Sequence, residues 1–422
     1  MTGLAGTDRR VLALGVARMA DALGNSFLIV VLPLFVVSGR ISLAGIAGVR
    51  LSLGPVSFLV TESLLIGLVL SLFGFLNSFS QPFTGRLSDR TGRRRVYILF
   101  GLALLAVASA AYLVVTSYWM VLVLRALQGI AAGFAIPSTV ALVNEVATSG
   151  DRGGNFGVFN TLRLVGFGFG PIVAGIVIET VSVDAAFAVA VVGALVSFLL
   201  VVLLVEDPER VEATAADDLS VAVRGSDSLF DPVFALGLGT FCMAIGIALF
   251  ATLEGQVNER LSQGTFLFGV QFGAVVIANV VFQIPVGRAS DRYGRRPFLL
   301  GGFLLLIPSV FVQGFVTDSL LMTLARFVQG AAVAMVFAPS LALAGDLAGE
   351  GQSGTTLSVL TMAFGLGVAV GPLVSGFLER FGFAVPFVFG AGLALVALVV
   401  TYSQVEETVT DAPNLRVTPS DD

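Results

Sequence analysis

Apolar runs long enough to cross a bilayer recur along this chain, separated by short breaks rich in charge, glycine or proline. They fall near 12–37, 61–83, 96–115, 119–142, 156–178 and 184–205, and again near 232–252, 265–287, 298–316, 319–341, 355–378 and 384–402. A helix rising about 1.5 Å per residue needs roughly 20 apolar residues to cross a hydrocarbon core of about 30 Å. The pattern therefore predicts an all-α integral membrane protein of about 12 transmembrane helices, and an even number puts both termini on one side. Arg9 and Arg10 ahead of the first run imitate a signal peptide, but the run is too long and offers no small-residue cleavage site, so it reads as the first span.

The two sets of six runs repeat one another at an offset of 201 or 202 residues. GRLSDRTGRRR at 85–95 returns as GRASDRYGRRP at 287–297, and Asn77 and Gln81 return as Asn279 and Gln283. Arg125, Gln128 and Gly129 correspond to Arg326, Gln329 and Gly330, Pro137-Ser138 to Pro339-Ser340, and Gly170-Pro171 to Gly371-Pro372. One register held through four helices predicts two related six-helix bundles, 1–205 and 232–402. Between them, 206–231 carries Glu206, Asp207, Glu209, Glu212, Asp217, Asp218 and Asp227 with few large apolar residues, and is expected to be a flexible linker. An acidic tail, 403–422, follows the last span.

Charge sets the orientation. The N-terminus and the loops on its side carry Arg9, Arg10, Arg86, Arg90, Arg93, Arg94, Arg95, Arg152, Arg288, Arg292, Arg295 and Arg296, against Arg40, Arg50, Arg260 and Arg380 on the other. Positive short loops stay in the cytoplasm, which predicts a multi-pass cell-membrane protein with both termini cytoplasmic.

Composition agrees with a lipid solvent: 56% of the 422 residues are apolar and 12% charged, with mean hydropathy +0.97. The 23 basic residues are all Arg, and there is no His. An acidic pI of about 4.9 fits a halophile, and a GC-rich genome that writes Arg for Lys fits equally. Without His, a metal-spaced Cys cluster, HExxH or a phosphate-binding GxxxxGK[ST], a membrane enzyme or an ATP-driven pump has no chemical support. The lone Cys242 sits in an apolar run. No metal, cofactor or nucleic-acid partner is indicated; the expected partners are the bilayer, a small solute and a coupling ion.

The pattern formed by Gly85, Asp89, Arg90, Gly92, Arg93 and Arg94, echoed by Gly287, Asp291, Arg292, Gly294, Arg295 and Arg296, resembles the signature of the major facilitator superfamily, and the resemblance covers essentially the whole chain. It implies a monomeric secondary carrier, similar to the 12-helix proton antiporters for drugs and metabolites. Glycines are expected to permit a tight turn between antiparallel helices, with Asp89 near a helix N-terminus and paired to Arg. In the family this cluster is regarded as a breakable cytoplasmic latch between the halves; plain positive-inside anchoring explains the same charges.

Arg125, about two turns into the fourth span, costs on the order of 3 kcal/mol if unpaired. Its expected partner is Asp21, which lies ten residues into the first span and hence about 15 Å deep. Arg18 shares a helix face with Asp21 and is the alternative partner. A carboxylate in a low-dielectric cavity whose proton affinity an Arg can lower is suited to proton coupling, which makes Asp21, Arg125 and Arg18 the coupling candidates. In the resembling exporters an acidic residue of the first helix often serves this way.

Gly166, Gly168, Gly170, Pro171 and Gly175 in the fifth span follow the family's antiporter pattern, although Ile176 stands where a second glycine would close it; Gly371 and Pro372 repeat it. Small residues let helices approach closely and proline bends them. Arg163 is open to an anionic substrate group, to Glu145 or to the loop charges. Glu179, Glu254 and Glu259 are expected to face water near the outer ends. Asn25, Asn77, Gln81, Asn160, Asn279 and Gln283 are the candidate cavity residues, with helix–helix bonding as the simpler role for each. Proton-coupled efflux is the favoured reading; uptake of a sugar or organic acid with protons or sodium, and a non-transporting sensor with a carrier fold, are the alternatives.

Overall fold

The computed structural model describes residues 9–53, 56–146, 152–207, 229–347 and 353–408. Most of the expected linker and of the acidic tail therefore lies outside the described residues. Twelve described helices are long and apolar enough to cross a membrane: α1 (Arg9–Val37), α2 (Glu62–Thr91), α3 (Arg94–Ala111), α4 (Tyr118–Val146), α5 (Arg152–Thr180), α6 (Val183–Leu204), α7 (Pro232–Ala248), α9 (Thr265–Tyr293), α10 (Arg295–Gln313), α11 (Ser319–Leu347), α12 (Ser353–Leu378) and α13 (Val385–Gln404). A short α8 (Glu254–Leu261) follows α7 after a 3-10 turn, Leu249–Thr252.

Two features depart from the apolar runs. α2 and α9 continue through the charged repeat to Thr91 and Tyr293, because hydropathy limits where a chain lies in hydrocarbon and not where its helix stops. They end at Gly92 (φ 64) and Gly294 (φ 98), left-handed positions that glycine adopts without a Cβ penalty. Gly85 and Gly287, by contrast, lie inside helices, so the turn expected of all four glycines belongs to the last two. The connection from α1 to α2 also holds an antiparallel hairpin, β1 (Arg50–Leu53) with β2 (Val56–Leu59), in which Arg50 faces Leu59.

The repeat in sequence is a repeat in packing. α1 packs on α5 and α6, α2 on α4, and α3 on α4 and α6; in the same way α7 packs on α12 and α13, α9 on α11, and α10 on α11 and α13. The first six spans meet the last six chiefly through α2 with α12 and α5 with α9, two contacts that the repeat makes equivalent. Glycines bring these pairs together: a Cβ on Gly175 would stand 2.5 Å from the Phe266 Cα, and one on Gly74 would stand 2.7 Å from the Ala369 Cβ.

The apolar cores show which end of the interface is shut. Far from the Arg-rich loops, Phe27, Val31 and Phe187 share one buried core with Leu253, Phe268 and Phe387, joining both sets of six. Toward the Arg-rich end the cores separate. Val11, Leu14, Leu142 and Phe159 form one, and Leu236, Leu299, Leu343 and Leu360 form another.

Candidate functional site

The middle of α1 presents Arg18 and Asp21 on one face, three residues apart, and the two form an ion pair. Asp21 is 6% exposed and borders two adjoining crevices among α1, α3, α4 and α6. Each leaves about 10 Å³ of room, space for a water: one also meets Arg18, Leu102 and Thr139, and the other meets Asn25, Leu105 and Ser109. Polar groups at this depth are expensive and mark pathways or sites.

α5 adds to this site because Gly166 and Gly170 face the backbone of α1 at Met19 and Leu23, with no room for a Cβ. The close approach places Arg163 where its charge repels that of Arg18. Arg163 donates from Nε (3.1 Å) and Nη2 (2.9 Å) to the Asn160 Oδ1. The described cluster thus joins two guanidiniums, one carboxylate and an amide.

Arg125 is placed elsewhere. Its Nη1 donates to the Gln128 Oε1 at 3.1 Å and its Nε to the Val69 carbonyl oxygen at 3.3 Å, with the guanidinium 4.7 Å above the Phe73 ring. The expected Asp21–Arg125 pair is replaced by Arg18–Asp21, because a glutamine one turn away and a carbonyl of α2 already satisfy Arg125. Arg326 repeats the arrangement, bonding the Gln329 Oε1 (2.8 Å) and the Gln271 carbonyl oxygen (3.3 Å), above Phe250. Two equivalent buried arginines held by their own bundles are structural braces in this conformation.

At the Arg-rich end Arg94, nearly buried, pairs with Asp89 and, at 2.7 Å, with Glu145. The repeat places Arg295 with Asp291 at 3.4 Å and with Asp346. Asp89 lies in the last turn of α2 rather than near a helix N-terminus, an end that disfavours a carboxylate, and Arg94 offsets that cost. Arg90, Arg93 and Arg292 are exposed. Each of these pairs stays within one set of six helices. Glu145 and Asp346 complete the clusters from outside the charged repeat, and their spacing of 201 marks them as repeat partners. Arg94→Gln strands two carboxylates and is expected to slow the transport cycle about tenfold, Asp89→Asn less because Glu145 remains; a loss of roughly 1.4 kcal/mol corresponds to the former. Single-turnover solute release measures both, and unchanged rates reduce the cluster to anchoring.

The glycine pattern divides by function. Gly166 and Gly170 seat α1, Gly371 seats α7, and Gly175 seats α9 across the interface, where the Pro171 carbonyl faces Gly269. Pro372 presents its carbonyl oxygen to Gly67. Asn77 accepts a hydrogen bond from Gln81 Nε2 at 3.1 Å, and Asn279 and Gln283 occupy the equivalent half-buried positions on α9.

Of the outer acids Glu254 departs from expectation and Glu179 does not. Glu179 is exposed and accepts from the Phe266 backbone N–H at 2.8 Å, capping α9 from α5. Glu254 does not face water: it is 0% exposed, because the turn after α7 folds it into the shared core.

The sequence profile described as Major Facilitator Superfamily matches residues 14–278 and 236–419. An uncharacterized MFS-type transporter of Methanocaldococcus jannaschii is 28% identical over 178 residues, 42% of this chain and 46% of that protein. Multidrug resistance protein MdtG of Enterobacter lignolyticus is 25% identical over 346 residues, covering 79% of this chain and 81% of its own. The human organic anion transporter MFSD10 (TETRAN) superposes with a TM-score of 0.67 at 20% identity, over 93% of this chain and 99% of the other. With its paired sixfold helices, its repeated arginine clusters and a profile match that runs nearly end to end, this chain belongs to the major facilitator superfamily of membrane transporters.

Proposed function

We propose that this protein exports small solutes from the cytoplasm in exchange for protons, by alternating access between two six-helix halves. The observation that carries the reading is Asp21, a buried carboxylate near the middle of α1 that pairs with Arg18. A proton and a solute bearing positive charge compete for the Asp21 carboxylate, and such competition is what exchange requires. Similarity to a multidrug resistance protein favours efflux. The excess of Arg in the loops near the N-terminus supports cytoplasmic termini in the cell membrane. On that orientation the closed end faces outward and the separated cores face the cytoplasm, an arrangement suited to loading from inside.

A second reading has its own observation. Arg18 and Arg163 outnumber Asp21, so the cluster carries a net positive charge in its described residues, which suits a carboxylate-bearing solute more than a lipophilic cation. Everted membrane vesicles with an imposed pH gradient, challenged with lipophilic cations, neutral drugs, sugars and organic acids, separate the two. Collapse of the gradient by a solute, absent with Asp21→Asn, supports proton-linked export and names the class. Silence across the panel argues for sodium coupling or for a carrier fold used in sensing.

A further inference from the structure

Glu254 opens α8 at the closed end, on a segment of the last six helices that touches α1 and α2. On one side of it, the Thr252 Oγ1 donates to the Pro372 carbonyl oxygen at 3.0 Å. On the other, the Gln256 Nε2 donates to the Ser63 Oγ of α2 at 2.8 Å. Leu253 and Val257 lie in the shared core with Phe27 and Val31 of α1. Glu254 itself is fully buried, and neither carboxyl oxygen has a hydrogen-bond partner.

Among the described residues no ion pair reaches it: Arg326 of α11, over Phe250 in the turn before it, bonds the Gln329 Oε1 and the Gln271 carbonyl oxygen instead. The parts of α1, α7, α9, α12 and α13 at this end contain no charged residue. Arg260 of α8 donates to the Val316 carbonyl oxygen and lies over Phe383, Arg380 lies over Phe377, and Arg40 is held by Asp184. Glu62, Glu259 and Glu379 add only negative charge. An ionised carboxylate buried without a partner is prohibitively expensive, so the group is neutral here. Burial holds its carboxyl well above the ordinary carboxylate range.

We propose that Glu254 is a second proton-carrying group of the transport cycle, protonated while this end is sealed and deprotonated when the seal parts. The proposal rests on the alternating-access reading above. On opening, the O–H bond breaks, the proton passes to water on the outer side, and the carboxylate is left hydrated; resealing requires it to take a proton back. Glu254 thereby ties closure of this end to occupancy by a proton, independently of Asp21. The sign follows from linkage: the sealed state binds the proton more tightly, so acid favours the seal. Between the proton affinities of the open and sealed states, the sealed-to-open ratio falls about tenfold per pH unit.

The test places spin labels at Val181→Cys and Leu320→Cys, exposed positions at this end of α5 and α11, in a Cys242→Ala background reconstituted in lipid nanodiscs, and follows their distance from pH 5 to 9. The wild-type sequence should move from a short to a long distance as pH rises. Glu254→Gln should hold the short distance throughout, Glu254→Asp should restore a response, and Asp21→Asn should leave the response in place. A Glu254→Gln variant that opens over the same pH range as the wild type overturns the proposal. A wild type that opens with solute but ignores pH overturns it while sparing alternating access. A wild type whose distance never changes overturns both.

Discussion

Asp21→Asn is expected to abolish pH-driven accumulation of solute, by at least about a hundredfold, while solute–solute exchange continues. Asparagine keeps the shape of the side chain but cannot carry a proton, so each crossing of the cycle is no longer tied to one. The loss of the Arg18–Asp21 pair leaves Arg18 and Arg163 facing each other without a carboxylate. Breaking a buried pair from one side typically costs about 3–5 kcal/mol, so folding needs its own control. The double variant Arg18→Gln with Asp21→Asn removes both charges, and is expected to restore the amount of folded protein without restoring accumulation. Proteoliposome assays of net uptake and of exchange distinguish these outcomes, and wild-type accumulation in Asp21→Asn would remove Asp21 from the mechanism.

Gly175→Val carries the second large effect, an expected loss of transport of tenfold or more with the protein still inserted. A Cβ there meets the Phe266 Cα at 2.5 Å, the Thr265 carbonyl oxygen at 2.8 Å and the Phe266 nitrogen at 2.9 Å. All three are backbone atoms, which cannot rotate aside as a side-chain tip can, so α5 and α9 must separate and the closed end cannot seal. Distances across that end should lengthen in the variant at every pH. Gly85→Ala is the contrasting case. It belongs to the most recognisable pattern of the chain, yet its Cβ meets only the Pro137 Cβ at 3.7 Å, and alanine favours a helix interior over glycine by about 1 kcal/mol. Transport within about twofold of wild type is expected there.

The contrast between these glycines shows what the sequence makes legible. The twelve spans could be read because lipid demands long apolar runs, and the pairing of helices could be inferred because charged and glycine landmarks repeat in register. The partners of individual side chains were hidden. Nothing in α4 alone indicates that Arg125 is satisfied by Gln128 and the Val69 carbonyl, since the second belongs to α2. Hydropathy assigns Glu254 to a polar break and so to water; only the fold of the turn Leu249–Thr252 carries it into the core. The hairpin in the first connection carried a short alternation, Leu51 and Leu53 followed by Val56 and Phe58 around Gly54-Pro55, which the surrounding helical signal masked. Gly85 and Gly92 look alike in a pattern, and a positive φ at the second alone separates a turn glycine from a helical one.

Coupling by protons, and not by sodium, is the central claim, and purified protein in sodium-free proteoliposomes tests it most directly. The lumen is set acid relative to the bath, and a solute identified in the vesicle panel is followed together with lumenal pH. Accumulation of solute with matching loss of lumenal protons, requiring no sodium, is the predicted result. Accumulation that needs a sodium gradient and leaves lumenal pH unchanged would contradict the account.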